Sequence, residues 1–288
     1  MQVDVVAITA VSAIASAAVL LIATLGLAVV FGLMGVINLA HGEFLMLGAY
    51  AALLSTRHGL PFWAAVLVAV GVTAAFGAAV EMLIIRRLYG RILDTMLATW
   101  GLSLVLYQAA VMVFGAVTPG LGFSFPSVAI GNYGISVYLL VLIAIAALLS
   151  AALFALLTRT SYGVLARAAV QDPQMAAAIG IDAAQVNTAT FALGCGLAGF
   201  AGAVLLPVVP ATPGMGFAFV VKAFLAVVVA GPLTLSGTVV ASGVLGAMAN
   251  VTASVWSAVL GDLLFFGATI ALLWRFPHGI SQRWRLKL

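Results

Sequence analysis

The chain has 288 residues, of which 65% are hydrophobic and 6% charged, and its formal net charge is +4. A soluble domain carries about 25% charged residues, so this composition, with a mean hydropathy of +1.30, excludes a water-soluble domain on a single anchor. It predicts one all-α integral-membrane domain over residues 1–288, a polytopic bundle of about 8–9 transmembrane helices solvated by the lipid bilayer. The pI near 9.6 comes without a Lys/Arg block interleaved with aromatics, which excludes nucleic acid as a partner. The single cysteine, Cys195, can form no intrachain disulfide, CxxC pair or metal cluster. It reads as a small apolar core residue.

The amino terminus has no Lys or Arg before its apolar run, so it reads as a retained span rather than a signal peptide. Hydropathy predicts spans over 5–30, 34–54, 61–85, 95–115 and 136–157, then 187–207, 217–235, 237–256 and 259–274. The second span begins polar and glycine-rich, and is expected to be broken or re-entrant. All Lys/Arg except Arg57 and Lys222 fall in three clusters, at 86–91, 159–167 and 275–287. An even number of spans separates successive clusters, so all three face one side, the cytoplasm. The amino terminus then lies outside, or inside if the second segment re-enters. The loop 116–135 is expected outside. Residues 159–185 and the tail 275–288, with the carboxy terminus, are expected in the cytoplasm.

Within the 159–185 loop, "QDPQMAAAIGID" predicts a short helix, with Asp172 as N-cap, Pro173 at the first helical position and Gly180 as the C′ stop. So short a helix is marginal alone in water. It must pack on its own protein or dock into a partner.

An ionisable side chain at the centre of a span costs roughly 2.5–3.5 kcal/mol. Glu81, Lys222 and Asp262 fall near predicted span ends, where snorkelling makes the cost small, and Glu81 can pair with Arg86. His41 and Glu43 are different. On a continuous helix Asn38, His41 and Gly42 share a face, whereas Glu43 points about 160° from His41. Either the two have different partners, or the helix breaks near Gly42; Gly35 and Gly42 both permit a break. Broken helices build sites near the midplane. The alternative is a packed helix whose polar groups bond its neighbours.

Farther on, Gly196, Gly199 and Gly202 draw a small-residue stripe suited to close helix packing. Pro207, Pro210 and Pro213 follow and end that helix. "LMGVINLAHGEFLMLGAYAA" and "FAGAVLLPVVPATPGMGFAFVVKAFLA" each run from helix end through an irregular stretch to a new span. This is a weak internal repeat of the transporter kind. No GxxxxGK[ST] phosphate loop is present, so any ATP use belongs to another chain.

"GLAVVFGLMGVINLAHGEFLMLGAYAA" (26–52) resembles the signature of permease subunits of branched-chain amino acid ABC importers, to which urea and short-amide permeases are closely similar. The likeness continues at "RTSYGVLARAAVQDPQMAAAIGI", "FALGCGLAGFAGAVL", "KAFLAVVV" and the ending "RFPHGI". The resemblance implies a non-catalytic permease of a bacterial inner (plasma) membrane importer. It implies a second permease subunit, usually a different chain, two cytoplasmic ATPase subunits that bind ATP and Mg, and a periplasmic solute-binding protein. This chain itself would carry no cofactor. The coupling segment would comprise Arg167, Gln171, Asp172, Pro173, Met175, Ala176 and Gly180. Asn38, His41, Gly42 and Glu43 match the Asn-x-Ala-His-Gly-(Asp/Glu) segment and would line or brace the translocation path.

One departure is "AGPLTLSG" (230–237), where the family reads close to Gly-Gly-x-Gly-Ser-x-x-Gly. The proline-stiffened turn argues against a close backbone approach there. Three other classes compete. A passive channel would need the Asn-Pro-Ala loops of aquaporins, and "NLA" lacks Pro and occurs once in this form. An ion-coupled transporter would use His41 and Glu43 as a proton relay. A membrane enzyme would need metal-ligand spacing or a Ser/His/Asp set, and neither is seen.

Overall fold

The computed structural model describes residues 2–115, 125–130, 133–231 and 235–281. Its first helix, α1 (Gln2–Met34), runs 33 residues, about 50 Å at 1.5 Å per residue. After a break come α2 (His41–Arg57), α3 (Phe62–Leu83), a 3₁₀ turn (Ile85–Leu88) and α4 (Ile92–Phe114). A two-stranded antiparallel hairpin, β1 (Ser127–Ile130) and β2 (Tyr133–Ser136), pairs Ser127 with Ser136 and Ile130 with Tyr133. Then follow α5 (Val137–Arg159), α6 (Ser161–Gln171), α7 (Pro173–Ala178), α8 (Ala183–Leu205), α9 (Met215–Ala230), α10 (Leu235–Val255) and α11 (Ala258–Arg275).

Seven of these helices are long and apolar enough to cross a membrane: α1, α3, α4, α5, α8, α10 and α11. The protein is an all-α polytopic membrane protein. Two of the nine predicted spans come out shorter. α2 has 17 residues and α9 has 16, about 26 and 24 Å against a hydrocarbon core of about 30 Å. The predicted outer loop 116–135 carries most of this strand pair, which the sequence reading missed; residues 116–124 and 131–132 of that loop lie outside the described residues.

α8 is the centre of the bundle and packs on α1, α2 and α3. The glycine stripe makes this possible. A Cβ at Gly199 would meet Thr73 of α3, one at Gly202 would meet the Leu45 backbone of α2, and one at Gly196 would lie 3.3 Å from Ala74. Cys195 sits opposite Gly77, its Sγ 2.7 Å from where a Cβ would stand, and fills the space as a small hydrophobe. The Tyr138 hydroxyl donates to the Val204 carbonyl at 2.6 Å and fastens α5 to α8. The outer faces of α3, α4, α5 and α11 present Leu67, Leu93, Met112, Leu148 and Ile270, all exposed, as a lipid-facing surface requires.

The "RFPHGI" ending leaves α11 and returns to the end of α9. Ile280 and Ser281 donate backbone hydrogen bonds to Val229 and Ala230 at 2.9 and 3.3 Å. Gly231 and Gly279, with φ of 88° and 85°, face each other so closely that a Cβ on Gly279 would fall 2.6 Å from the Gly231 nitrogen. The close approach that the "AGPLTLSG" departure argued against is therefore kept. Pro232, Leu233 and Thr234 lie outside the described residues.

Candidate functional site

The break in the second segment is made at Gly35, not Gly42. Gly35 takes φ +63°, a conformation nearly free only for glycine, and donates to the Phe31 carbonyl at 3.1 Å to close α1. Residues 35–40 are irregular, and α2 starts at His41. Their freed backbone groups need partners in the membrane interior, and side chains supply them. The Asn38 Oδ1 accepts the Ala40 N–H at 3.0 Å. Thr99 of α4 accepts the Leu39 N–H at 3.1 Å. Asn38 is thus a turn residue and shares no helical face with His41, contrary to the continuous-helix alternative. His41 and Glu43 both stand in the first turn of α2.

All three side chains are buried, Glu43 completely. The His41 Nε2 lies 3.0 Å from the Ala23 carbonyl of α1; a carbonyl only accepts, so the proton is on Nε2 and Nδ1 is left as an acceptor. That Nδ1, the Asn38 Nδ2 and both Glu43 oxygens have no hydrogen-bond partner among the described residues. The Ser103 hydroxyl of α4 faces the Glu43 carboxyl, and neither completes a hydrogen bond. Leaving such groups unbonded costs about 1–3 kcal/mol each, a cost that packing alone does not require.

Gly42 serves another purpose. Its missing side chain lets α2 meet the start of α9: a Cβ there would fall 2.6 Å from the Gly216 carbonyl carbon, and one on Gly216 would fall 2.6 Å from that of Gly42. The two helices that the weak repeat relates therefore touch at their second residues. A helix start carries roughly half a positive charge. Glu43 lies beside two of them, with its backbone nitrogen 3.1 Å from the Gly216 Cβ position.

The 159–185 loop folds into two helices where the sequence predicted one. α7 has the predicted caps: Asp172 accepts from Gln174 and Met175 at 3.1 and 2.9 Å, Pro173 opens the helix, and Gly180 follows it at φ +85°. Gln171, Asp172, Met175 and Gly180 are exposed, Met175 and Ile179 at 61% and 69%, while Ala176 is buried. α6 was missed, although Thr160 caps it through the Gly163 N–H and Gly163, Ala166 and Ala169 form its buried stripe. Arg167 lies on α6 and turns back to the Leu157 carbonyl of α5, away from α7. The Asn38–Glu43 set and the 167–180 set occupy separate elements.

Two further constellations emerge only in three dimensions. Glu81 pairs with Arg86 at 3.1 Å as expected, and also accepts from the hydroxyls of Tyr89 and, at 2.6 Å, Thr188 of α8. Burial and the bond to Glu81 push the Tyr89 phenol well above its usual range. Through Thr188 this clasp brings the 86–91 arginines to the end of the bundle where α8 starts. Lys222 and Asp262 do not snorkel separately; they form an ion pair of 2.6 Å between α9 and α11. Both line a cleft of about 560 Å³ between α1, α5, α8, α9, α10 and α11. Their separation of 40 residues left no sequence signal of pairing.

Broken helices, two apposed helix starts and an intramembrane cleft define a polytopic transport protein rather than a bilayer anchor. The chain belongs to the branched-chain amino acid transport system permease component family, whose model matches residues 9–273. It is 28% identical over 277 residues to the high-affinity branched-chain amino acid transport system permease protein BraD of Pseudomonas aeruginosa, with 90% of each chain covered. It is 26% identical over 282 residues to the LivH permease protein of Escherichia coli, again with 90% of each covered. The probable LivH of Methanocaldococcus jannaschii is 27% identical over 283 residues, covering 91% of this chain and 88% of that one. No solved structure matches the chain.

Proposed function

We propose that this permease forms one half of the membrane path of an ATP-driven importer for branched-chain amino acids, in a bacterial inner membrane with its carboxy terminus in the cytoplasm. A second, different permease chain completes the path. A periplasmic binding protein delivers the solute, and two cytoplasmic ATPase subunits, holding ATP and Mg, supply the energy. This chain performs no catalysis. Asn38, His41, Gly42 and Glu43 brace the path where α2 and α9 meet.

The observation that carries this reading is family membership over nearly the whole chain, and the state of α7 supports the coupling role. A six-residue helix capped at both ends keeps its shape, and it presents Met175 and Ile179 outward. An apolar pair held in the open on a rigid turn suits insertion into a partner's groove. Replacing residues 171–180 by a Gly/Ser run tests the role. Co-purification with the ATPase subunits is expected to vanish while membrane insertion persists; unchanged pull-down rejects the coupling assignment.

A further inference from the structure

Lys222 stands seven residues after the start of α9 and eight before its end, too far from either for its charge to be an accident of the helix terminus. Its ammonium meets the Asp262 carboxylate at 2.6 Å, with the two side chains 34% and 53% exposed and both lining the same cleft. The Phe265 ring lies 6.0 Å from the ammonium. Another wall carries a second polar pair: the Asn250 amide donates to the Ser16 hydroxyl at 2.7 Å. That bond leaves the Asn250 Oδ1 buried, with no hydrogen-bond partner among the described residues. Apart from Ser12, the remaining walls are apolar, with Val19, Val209 and Phe219 among them. A volume of about 560 Å³ falls within the range of small-molecule sites, roughly 300–1,000 Å³.

We infer that this cleft is a subsite for a zwitterionic, aliphatic α-amino acid. The solute's carboxylate is received by the Lys222 Nζ, its ammonium by Asp262, and its side chain by Val19, Val209 and Phe219. The inference deepens the branched-chain reading above and rests on it for the class of side chain. The physical reason is charge balance. Breaking an ion pair one-sidedly leaves one charge uncompensated, and that cost grows as a solute displaces water from around the pair. A zwitterion exchanges partners with both members at once, so each charge stays paired throughout. An amine or a carboxylic acid of the same shape satisfies one member and strands the other. The pair therefore selects for two opposite charges on one small molecule, and excludes either charge alone. Lys222 is also six residues from Gly216 on the same helix, about 9 Å along its axis, so occupancy of the cleft bears on the helix that abuts Gly42.

Ala218 lines the cleft one turn before Lys222 and Cys195 is the chain's only cysteine, so a thiol can be placed there alone. The assembled transporter, with this chain as Cys195→Ala, Ala218→Cys and without the binding protein, is treated with a methanethiosulfonate reagent, and modification of this chain is followed by mass. Saturating leucine is expected to slow modification by about fivefold or more, whereas 3-methylbutylamine and 4-methylpentanoate change it by less than about twofold. In Lys222→Met and Asp262→Asn chains that still assemble, leucine protection is lost. Equal protection by the singly charged analogues, no protection by leucine, or full protection in both variants overturns the assignment. Leucine uptake by the wild-type assembly is measured separately. Its absence overturns the branched-chain reading, while uptake without protection overturns the cleft alone; the protection assay decides the cleft in either case.

Discussion

The α2–α9 junction and the Lys222–Asp262 cleft both hold ionisable groups inside the bundle, and they hold them in opposite ways. At the junction Glu43 is fully buried, completes no side-chain hydrogen bond among the described residues and sits where two glycines bring backbones into contact. In the cleft the charges are half-exposed, face one another at 2.6 Å and border open space. The first arrangement has no room for a solute and depends on shape. The second has room and depends on charge balance. A polar residue in a membrane helix is thus not one kind of signal: its company decides whether it braces or binds.

Substitutions can break or sharpen this contrast. The largest effect is expected for Gly42→Leu, because the added side chain falls on the Gly216 backbone, which cannot yield as a flexible side chain would. Folded protein should be lost, as judged by size-exclusion chromatography of the fluorescently tagged chain. Gly71→Ala, where an added Cβ meets nothing within 4 Å, should leave the elution profile unchanged. If Gly42→Leu elutes normally, the junction is looser than described. Glu43→Gln comes next. It keeps shape and removes charge, so uptake is expected to fall about tenfold while expression holds; a fall in expression alone would make Glu43 a brace with no part in transport. The smallest effect is expected at α4. Thr99→Ala strands the Leu39 N–H and should cost about 1–3 kcal/mol, read as a lower Tm with uptake retained. Ser103→Ala removes a hydroxyl that completes no hydrogen bond among the described residues and should shift Tm by less than a third as much.

Much of the fold could be read from residue patterns, because lipid imposes long apolar runs and those runs became α1, α3, α4, α5, α8, α10 and α11 within a few residues. The α7 caps were also legible, since Asp, Pro and Gly act locally through their own side chains and φ preferences. The break was legible only as an alternative: Gly35 and Gly42 both allow one, and nothing local tells which is spent on a left-handed turn and which on a neighbouring helix. That choice depended on Gly216, more than 170 residues away. The Lys222–Asp262 pair failed for the same reason. Each residue alone was consistent with snorkelling, and only the packing of α9 against α11 removes that option. The α6 helix was missed for a different reason: its apolar side is made of Gly and Ala, which mark a face weakly.

The turn that carries Gly279 back onto Gly231 has a consequence for the whole carboxy-terminal half. Residues 279–281 occupy the last turn of α9 as a strut, replacing the solvent that a free helix end would meet. α9 is thereby clamped at both extremities, by Gly42 at one and by this strut at the other. A helix tied at both ends in this way couples α2, α9 and the turn at residues 279–281 into one mechanical linkage.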